Sequence, residues 1–240
     1  MLKAERRIKM LEDLKKSVLE ANLELNRRGL VLYTWGNASA VDRKTGLVVI
    51  KPSGVDYNVM REEDMVVVDL EGNKVEGELK PSSDTPTHIE LYKAFKEIGG
   101  VVHTHSTWAV AWAQAKIPIP CYGTTHADYF YGEIPCTRTL TRKETEEAYE
   151  KNTGLAIKEA FEGINPIYVP GVICANHGPF SWGKDAWEAV YHAAVLEETA
   201  KMAAITRMIR PDTAVAPDHI LEKHFMRKHG KNAYYGQKIQ

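Results

Sequence analysis

The 240 residues are predicted to form a single α/β domain around one sheet. Three observations predict it. Segments with helical apolar spacing alternate irregularly with short β-branched runs. No internal repeat, low-complexity tract or linker-like break divides the chain. Hydrophobic residues at 44% and charged residues at 26% are ordinary for one globular domain of this length.

The elements follow in order. Leu11, Leu14, Val18, Ala21 and Leu25 recur at helical spacing, and Gly29 is placed to end that helix. Residues 47–51 are a β-branched run closed by Pro52-Ser53-Gly54, which reads as strand then turn. Residues 65–70 read as a second strand before the turn Glu71-Gly72-Asn73. Thr85 as N-cap and Pro86 at the first helical position open a helix with Leu91, Tyr92 and Phe95 on its apolar side. Gly99-Gly100 stops it, and residues 101–105 form a strand. Ser106 or Thr107 caps the next helix, which runs to about Lys116. Residues 118–138 lack periodicity and read as a loop-rich functional region. Helices resume over 142–162, a strand over 171–175 runs into Asn176-His177-Gly178-Pro179, and helices cover 185–208 and 218–229.

Composition excludes several classes. A formal net charge of −1 argues against a nucleic-acid binder or a binder of anionic membranes. Cys121, Cys136 and Cys174 are an odd, unpaired set, which fits a reducing compartment. The first residues carry charge throughout (Lys3, Glu5, Arg6, Arg7, Lys9), and no apolar window of about 18 residues exists. A cytoplasmic location and no membrane partner are the expectation.

The strongest chemical signal is His103-Thr104-His105. On a strand, residues i and i+2 share a face roughly 6.5–7 Å apart, which lets two imidazoles converge on one ion. The same spacing equally suits two polar residues on a solvated face. His177 at the end of another strand adds a third imidazole, and three protein ligands leave a metal open to substrate. Asp84, just before a helix, reads on its own as an acid favoured by the helix dipole. His126, His192, His219 and His229 stay outside the set, His192 as a packing residue within a helix. Gly36-Asn37, Ser53-Gly54 and Ser82-Ser83 offer small residues with backbone N–H groups that suit an anion, and Lys51 adds positive charge.

Several longer segments resemble the L-ribulose-5-phosphate 4-epimerase family. They are Thr34-Trp35-Gly36-Asn37, Lys51-Pro52-Ser53-Gly54-Val55-Asp56-Tyr57, Pro81-Ser82-Ser83-Asp84-Thr85-Pro86-Thr87-His88, and His103-Thr104-His105. Gly123-Thr124-Thr125-His126-Ala127-Asp128-Tyr129-Phe130-Tyr131-Gly132, His177-Gly178-Pro179-Phe180 and the ending from Arg227-Lys228-His229-Gly230 through Tyr234-Tyr235-Gly236 continue the likeness, which spans residues 10–237. The wider superfamily is that of class II metal-dependent aldolases, epimerases and adducin-like domains.

The resemblance implies a three-layer α/β/α sandwich with a central mixed or antiparallel sheet, residues 1–29 as its N-terminal helix and 217–240 as its C-terminal helix and catalytic tail. It implies that Asp84, His103, His105 and His177 hold a divalent ion, zinc first, with manganese or cobalt as alternatives. Asp128 and Tyr235 become the paired acid and base, Gly36, Asn37, Ser53, Gly54, Ser82 and Ser83 the phosphate site, and His224 a further residue near it. A tyrosine needs its usual pKa of about 10 lowered by a nearby cation to serve there. The family assembles as a four-fold tetramer with sites between subunits.

Fuculose-type aldolases carry Glu where Asp84 stands, so Asp84 and the Tyr-Tyr-Gly tail point to an epimerase. The implied reaction converts L-ribulose 5-phosphate to D-xylulose 5-phosphate, a step of arabinose catabolism. Because no carbonyl acidifies the C4 hydrogen, the route is retro-aldol cleavage of C3–C4 and re-addition to the other aldehyde face. A class II aldolase that releases both fragments is the main alternative. A non-catalytic adducin-like module would lack metal ligands, and a metal-dependent hydrolase would leave the small-residue dipeptides unexplained.

Overall fold

The computed structural model describes residues 2–235, with side chains from Leu11 onward. Along the chain run α1 (Leu2–Arg27), β1 (Asn37–Asp42), β2 (Leu47–Ile50), β3 (Val66–Asp69), β4 (Lys74–Glu76), α2 (Thr85–Ala94) and β5 (Gly100–His103). Then follow α3 (Thr107–Ala115), α4 (Thr124–Ala127), α5 (Arg142–Ala160), β6 (Gly171–Ile173), β7 (Pro179–Gly183), α6 (Ala186–Ile209) and α7 (Asp218–His229). The strands form one sheet in the order β4-β3-β2-β1-β5-β7-β6, and every neighbouring pair is antiparallel.

Side chains alternate between the faces, as period-2 geometry demands. Val48, Ile50, Val66, Val68 and Val101 enter a core with α2, α3, α5 and the second half of α6. Leu47, Val49, Val67 and Val102 enter another, with α1 and the first half of α6. The result is the expected three-layer α/β/α sandwich around an antiparallel sheet. The Asn22 amide docks α1 on β1, donating to Ala38 O (3.1 Å) and accepting from Ala38 N (2.8 Å). No described helix is long and apolar enough to cross a membrane.

Local expectations needed correction in four places. β1, β4 and β7 were not predicted as strands. β1 is Asn-Ala-Ser-Ala-Val-Asp, with little intrinsic β preference, and becomes a strand because β2 and β5 pair with it on both sides. β7 opens on Pro179, which strands tolerate at their first residue, and lies between β5 and β6. β4 is a short, exposed, charged edge.

At α2 the N-cap is Asp84, not Thr85, so Pro86 sits at the second helical position. Gly99-Gly100 does not end a helix directly, since α2 stops at Ala94. The pair instead lets the start of α6 approach the sheet. A Cβ on Gly99 would lie 2.0 Å from Lys184 O, and one on Gly100 2.4 Å from the Asp185 carbonyl. Finally, β5 ends at His103, which leaves His105 in the loop beyond the strand.

Candidate metal centre and adjoining cavity

Antiparallel pairing brings five strand ends to the same edge of the sheet. β2 ends at Ile50 opposite Ser39, β1 starts at Asn37 opposite His103, His103 pairs with Phe180, and Ile173 pairs with Pro179. Residues just past those ends therefore stand in a row. Ser53-Gly54 lies beyond β2, Gly36-Asn37 at β1, His103 and His105 at β5, and His177 in the turn between β6 and β7. With neighbouring strands about 4.8 Å apart, the row from β2 to β7 spans about 14 Å.

The three small-residue dipeptides converge. Ser53 N donates to Lys80 O (2.9 Å) and Ser82 N to Lys51 O (3.0 Å), which sets Ser53-Gly54 beside Ser82-Ser83. Together with Gly36-Asn37, Asp84, His105 and His177 they line a cavity of about 590 Å³. Lys51 lines it too, buried and not exposed as a lysine would be by default. Its ammonium donates to Val55 O (2.9 Å) and Pro52 O (3.3 Å), and burial lowers its pKa to about 8 although Asp56 pulls the other way.

His103, His105 and His177 form one cluster, with ligand nitrogens all within 4.8 Å of one another. The His103 ring stacks on Phe180 at 4.3 Å between centroids. Its Nδ1 lies 3.0 Å from Pro179 O, and since a carbonyl only accepts, Nδ1 carries the proton. Its Nε2 lone pair is then free. That Nε2 and His177 Nδ1 are buried without a hydrogen-bond partner. Two orphaned imidazole nitrogens converging with a third imidazole are what a cation site presents, and a backbone acceptor on the far nitrogen is the usual support for a ligating histidine.

Electrostatics agree with that fit. Burial, reinforced by His103, lowers the His177 pKa to about 3, with Asp84 opposing. Burial and His103 lower that of His105 as well. Both imidazoles are therefore neutral, the form that binds metal. Asp84 is freed from capping, because its side chain makes no cap bond and instead accepts from Asn37 Nδ2 at 2.7 Å. Burial opposes its ionisation, but His103, His88 and the Asn37 amide outweigh it and hold the pKa below the ordinary carboxylate value. Three converging imidazoles suit zinc, manganese or cobalt, while Asp84 lines the adjoining cavity outside the set whose ligand atoms all lie within 4.8 Å of one another.

The loop carrying His105 is anchored from behind. Ser106 is the N-cap of α3 but makes no side-chain cap bond. Glu197 on α6 supplies the acceptors instead, taking Trp108 N at 2.9 Å and Ala109 N at 3.0 Å.

Asp128, His224 and Tyr235 do not line this cavity and form a second cluster, where the end of α4 meets α7. Asp128 accepts two bonds from Arg227 (Nε 3.0 Å, Nη2 2.7 Å), His224 Nδ1 lies 3.1 Å away, and Lys228 Nζ 3.7 Å. Burial works against its charge, yet Arg227, His224 and Lys228 hold its pKa below the usual range. Tyr235, the last described residue, carries Arg227 (4.9 Å) and Lys228 (4.4 Å) over its ring.

Sequence reasoning held Tyr129, Arg227 and Lys228 within the resembling segments but gave them no role around Asp128, and it missed Tyr149 and Glu150 in the cavity wall. Arg227 three residues after His224 shares its helix face, a spacing that could have flagged it. Nothing in the sequence marks Tyr149. His192 is, as expected, a packing residue, with Nδ1 2.7 Å from Trp182 O.

Residues 16–204 match the family described as the class II aldolase and adducin N-terminal domain. Among solved structures the chain is similar to an L-fuculose 1-phosphate aldolase at 28% identity, covering 88% of this chain and 94% of that one with a TM-score of 0.75. It is also similar to L-fuculose 1-phosphate aldolase from Glaciozyma antarctica (18% identity, 90% and 81% covered, TM-score 0.74). A third is L-fuculose-1-phosphate aldolase from Thermus thermophilus (24% identity, 85% and 98% covered, TM-score 0.64). The last two bear on the fold alone.

Proposed function

The chain belongs to the class II aldolase and adducin N-terminal domain family, and from that premise we propose a metal-dependent sugar-phosphate enzyme that epimerises L-ribulose 5-phosphate to D-xylulose 5-phosphate. The observation that carries the sugar-phosphate reading is one cavity lined both by three anion-suited dipeptides and by His105 and His177 of the histidine cluster. Asp84, where fuculose-type aldolases carry Glu, and Tyr235 in the tail favour epimerisation over simple cleavage. The reading takes residues 1–240 as one domain.

Asp84, His103, His105 and His177 would hold the divalent ion, zinc first. Such an ion supplies a Lewis acid that stabilises the negative charge released when C3–C4 breaks. Backbone N–H groups and hydroxyls at Gly36-Asn37, Ser53-Gly54 and Ser82-Ser83 anchor the phosphate, so the cleaved aldehyde fragment stays bound while it turns. Asp128, kept ionised by Arg227, is suited to take the proton from the C4 hydroxyl during cleavage. After rotation the C3 carbon attacks the other aldehyde face, and Tyr235 gives its proton to the new C4 oxygen. Solvent then returns both groups to their starting states.

Asp128, His224 and Tyr235 stand apart from the cavity of their own chain. That separation supports a homotetramer in which a neighbouring copy supplies them. The similarity to an L-fuculose 1-phosphate aldolase favours a second reading, cleavage with release of both fragments.

One assay separates the two. Metal-stripped protein is resupplied with zinc, manganese, cobalt or magnesium and incubated with L-ribulose 5-phosphate, with products followed by NMR. D-xylulose 5-phosphate is expected. Free aldehyde without it would replace the epimerase reading by the aldolase one.

A further inference from the structure

α5 bends just before the residue that walls the cavity. Ala148 has φ −163° and ψ 69°, far from helical values, so the helix is two pieces joined there. The Asn152 amide inserts at the bend and donates to Glu144 O at 2.8 Å, the kind of side-chain insertion that kinks a helix. Tyr149 and Glu150 then reach the 590 Å³ cavity.

Tyr149 also faces the other way. With His177 it is common to the walls of this cavity and of a second, of about 120 Å³. The Tyr149 and His177 rings stand 5.8 Å apart, tilted by 47°. Beyond them the smaller chamber has a mixed wall, with the hydroxyls of Thr137, Thr145 and Thr153 beside the apolar Leu140, Ala156 and Cys174. Thr137 N donates to Ile173 O (2.9 Å) and its hydroxyl accepts from Ala175 N (3.0 Å), which fixes the chamber at the end of β6.

This extends the row of strand ends by one step. Ser53-Gly54 lies at β2, Asn37 at β1, the paired histidines at β5, His177 before β7, and the chamber at β6. A sugar phosphate anchored at the β2 end points its other end toward Tyr149. The chamber holds about four water-sized groups at about 30 Å³ each, the room for about two more hydroxymethylene units.

We propose that Tyr149 is a specificity-determining partition, whose ring closes the β6 chamber and limits the chain length of the sugar phosphate. The inference rests on the sugar-phosphate reading of the cavity. A Tyr149→Ala change would join the two spaces and admit ketose phosphates one or two carbons longer, with their added hydroxyls against the threonines.

The test is calorimetric titration of the full chain, supplied with zinc, with alditol phosphates of four to seven carbons. These lack a carbonyl, so binding is read without turnover. Wild type is expected to bind the seven-carbon member about tenfold or more weaker than the five-carbon one, as a closed pocket requires. Tyr149→Ala should bring that ratio near unity, while Tyr149→Phe keeps the wild-type profile. Tyr149→Ala/Ala156→Met, which refills the chamber from its buried wall, should restore discrimination. If Tyr149→Ala does not fold, Tyr149→Leu carries the test with a smaller relaxation. A folded Tyr149→Ala or Tyr149→Leu protein with the wild-type profile overturns the partition alone. Failure of wild type to bind any member overturns the sugar-phosphate reading and the partition with it.

Discussion

Gly36 and Gly54 share the same backbone conformation, φ +69°, in two of the dipeptides that line the cavity. Their surroundings differ. A Cβ on Gly54 would have nothing within 4 Å, whereas one on Gly36 would lie 2.7 Å from His103 O and 2.8 Å from Val31 Cγ1. Placing alanine in the left-handed region costs about 1–2 kcal/mol at either site. At Gly36 an overpacking cost of about 1–3 kcal/mol adds to it, because the His103 carbonyl is backbone and cannot rotate away. Gly54→Ala should therefore lose about 1–2 kcal/mol and Gly36→Ala about 2–5 kcal/mol. The difference isolates the contact with His103. Any relief of that clash moves β5 where its last residue is His103, so Gly36→Ala should also weaken zinc binding by about tenfold or more, as disturbed ligand support does. Urea unfolding of the chelator-treated protein at fixed concentration gives the first quantity, and zinc titration against a competing chelator gives the second. Equal losses for the two variants, with zinc binding unchanged in Gly36→Ala, would refute the reasoning.

Other consequences are as direct. His88 and His126 are buried, and burial lowers their pKa values to about 3 and about 4, with Asp84 opposing at His88 and Gly132 O at His126. Since both lie below the ordinary 6.5, the unfolded chain binds more protons as pH falls, and stability present above pH 6.5 is lost toward pH 4. Each should contribute a slope of up to about 1.4 kcal/mol per pH unit in unfolding of the chelator-treated protein, and His126→Gln should flatten it. Arg227→Gln should let the Asp128 pKa rise, which moves the acid limb of the kcat/KM profile to higher pH; a stationary limb would remove Asp128 from the base role. Zinc should raise the melting temperature of the wild-type protein, through binding to the folded state alone. His103→Asn and His177→Asn should lose that increment, and a variant that keeps it would exclude its histidine from the site. Glu197→Ala strips Trp108 N and Ala109 N of their acceptor and should cost about 1–2 kcal/mol in urea unfolding, with Glu197→Gln milder.

Much of the fold was legible because its strongest signals are local. The apolar spacing of α1 and α6 and the β-branched runs of β2 and β3 report burial by one or two layers, and the structure has them where the periodicity puts them, with ends shifted by a residue or two. β1 and β7 were illegible for the opposite reason. In Asn37–Asp42 and Pro179–Gly183 only two apolar residues alternate (Ala38 and Ala40, Phe180 and Trp182) among Asn, Ser, Asp, Pro and Gly of low β preference, and the segments are strands because their neighbours hydrogen-bond to both edges. Asp84 shows the same limit at the site. Its position before a helix suggested a dipole role, but its carboxylate turns to Asn37 and the cavity.

The sequence alone determined the chemical inventory: three imidazoles, a carboxylate, small-residue anion loops, and a layered α/β chain able to carry them. These follow from residue type and short-range spacing, which do not depend on what lies across the sheet. Only the tertiary structure decided that Ser53, Asn37, His103 and His177 share one sheet edge, because antiparallel register sets which strand ends coincide. It also decided that Asp128 stands outside that cavity and that Tyr149 divides it from a second, since both depend on how α4, α5 and α7 dock and not on any pattern along the chain.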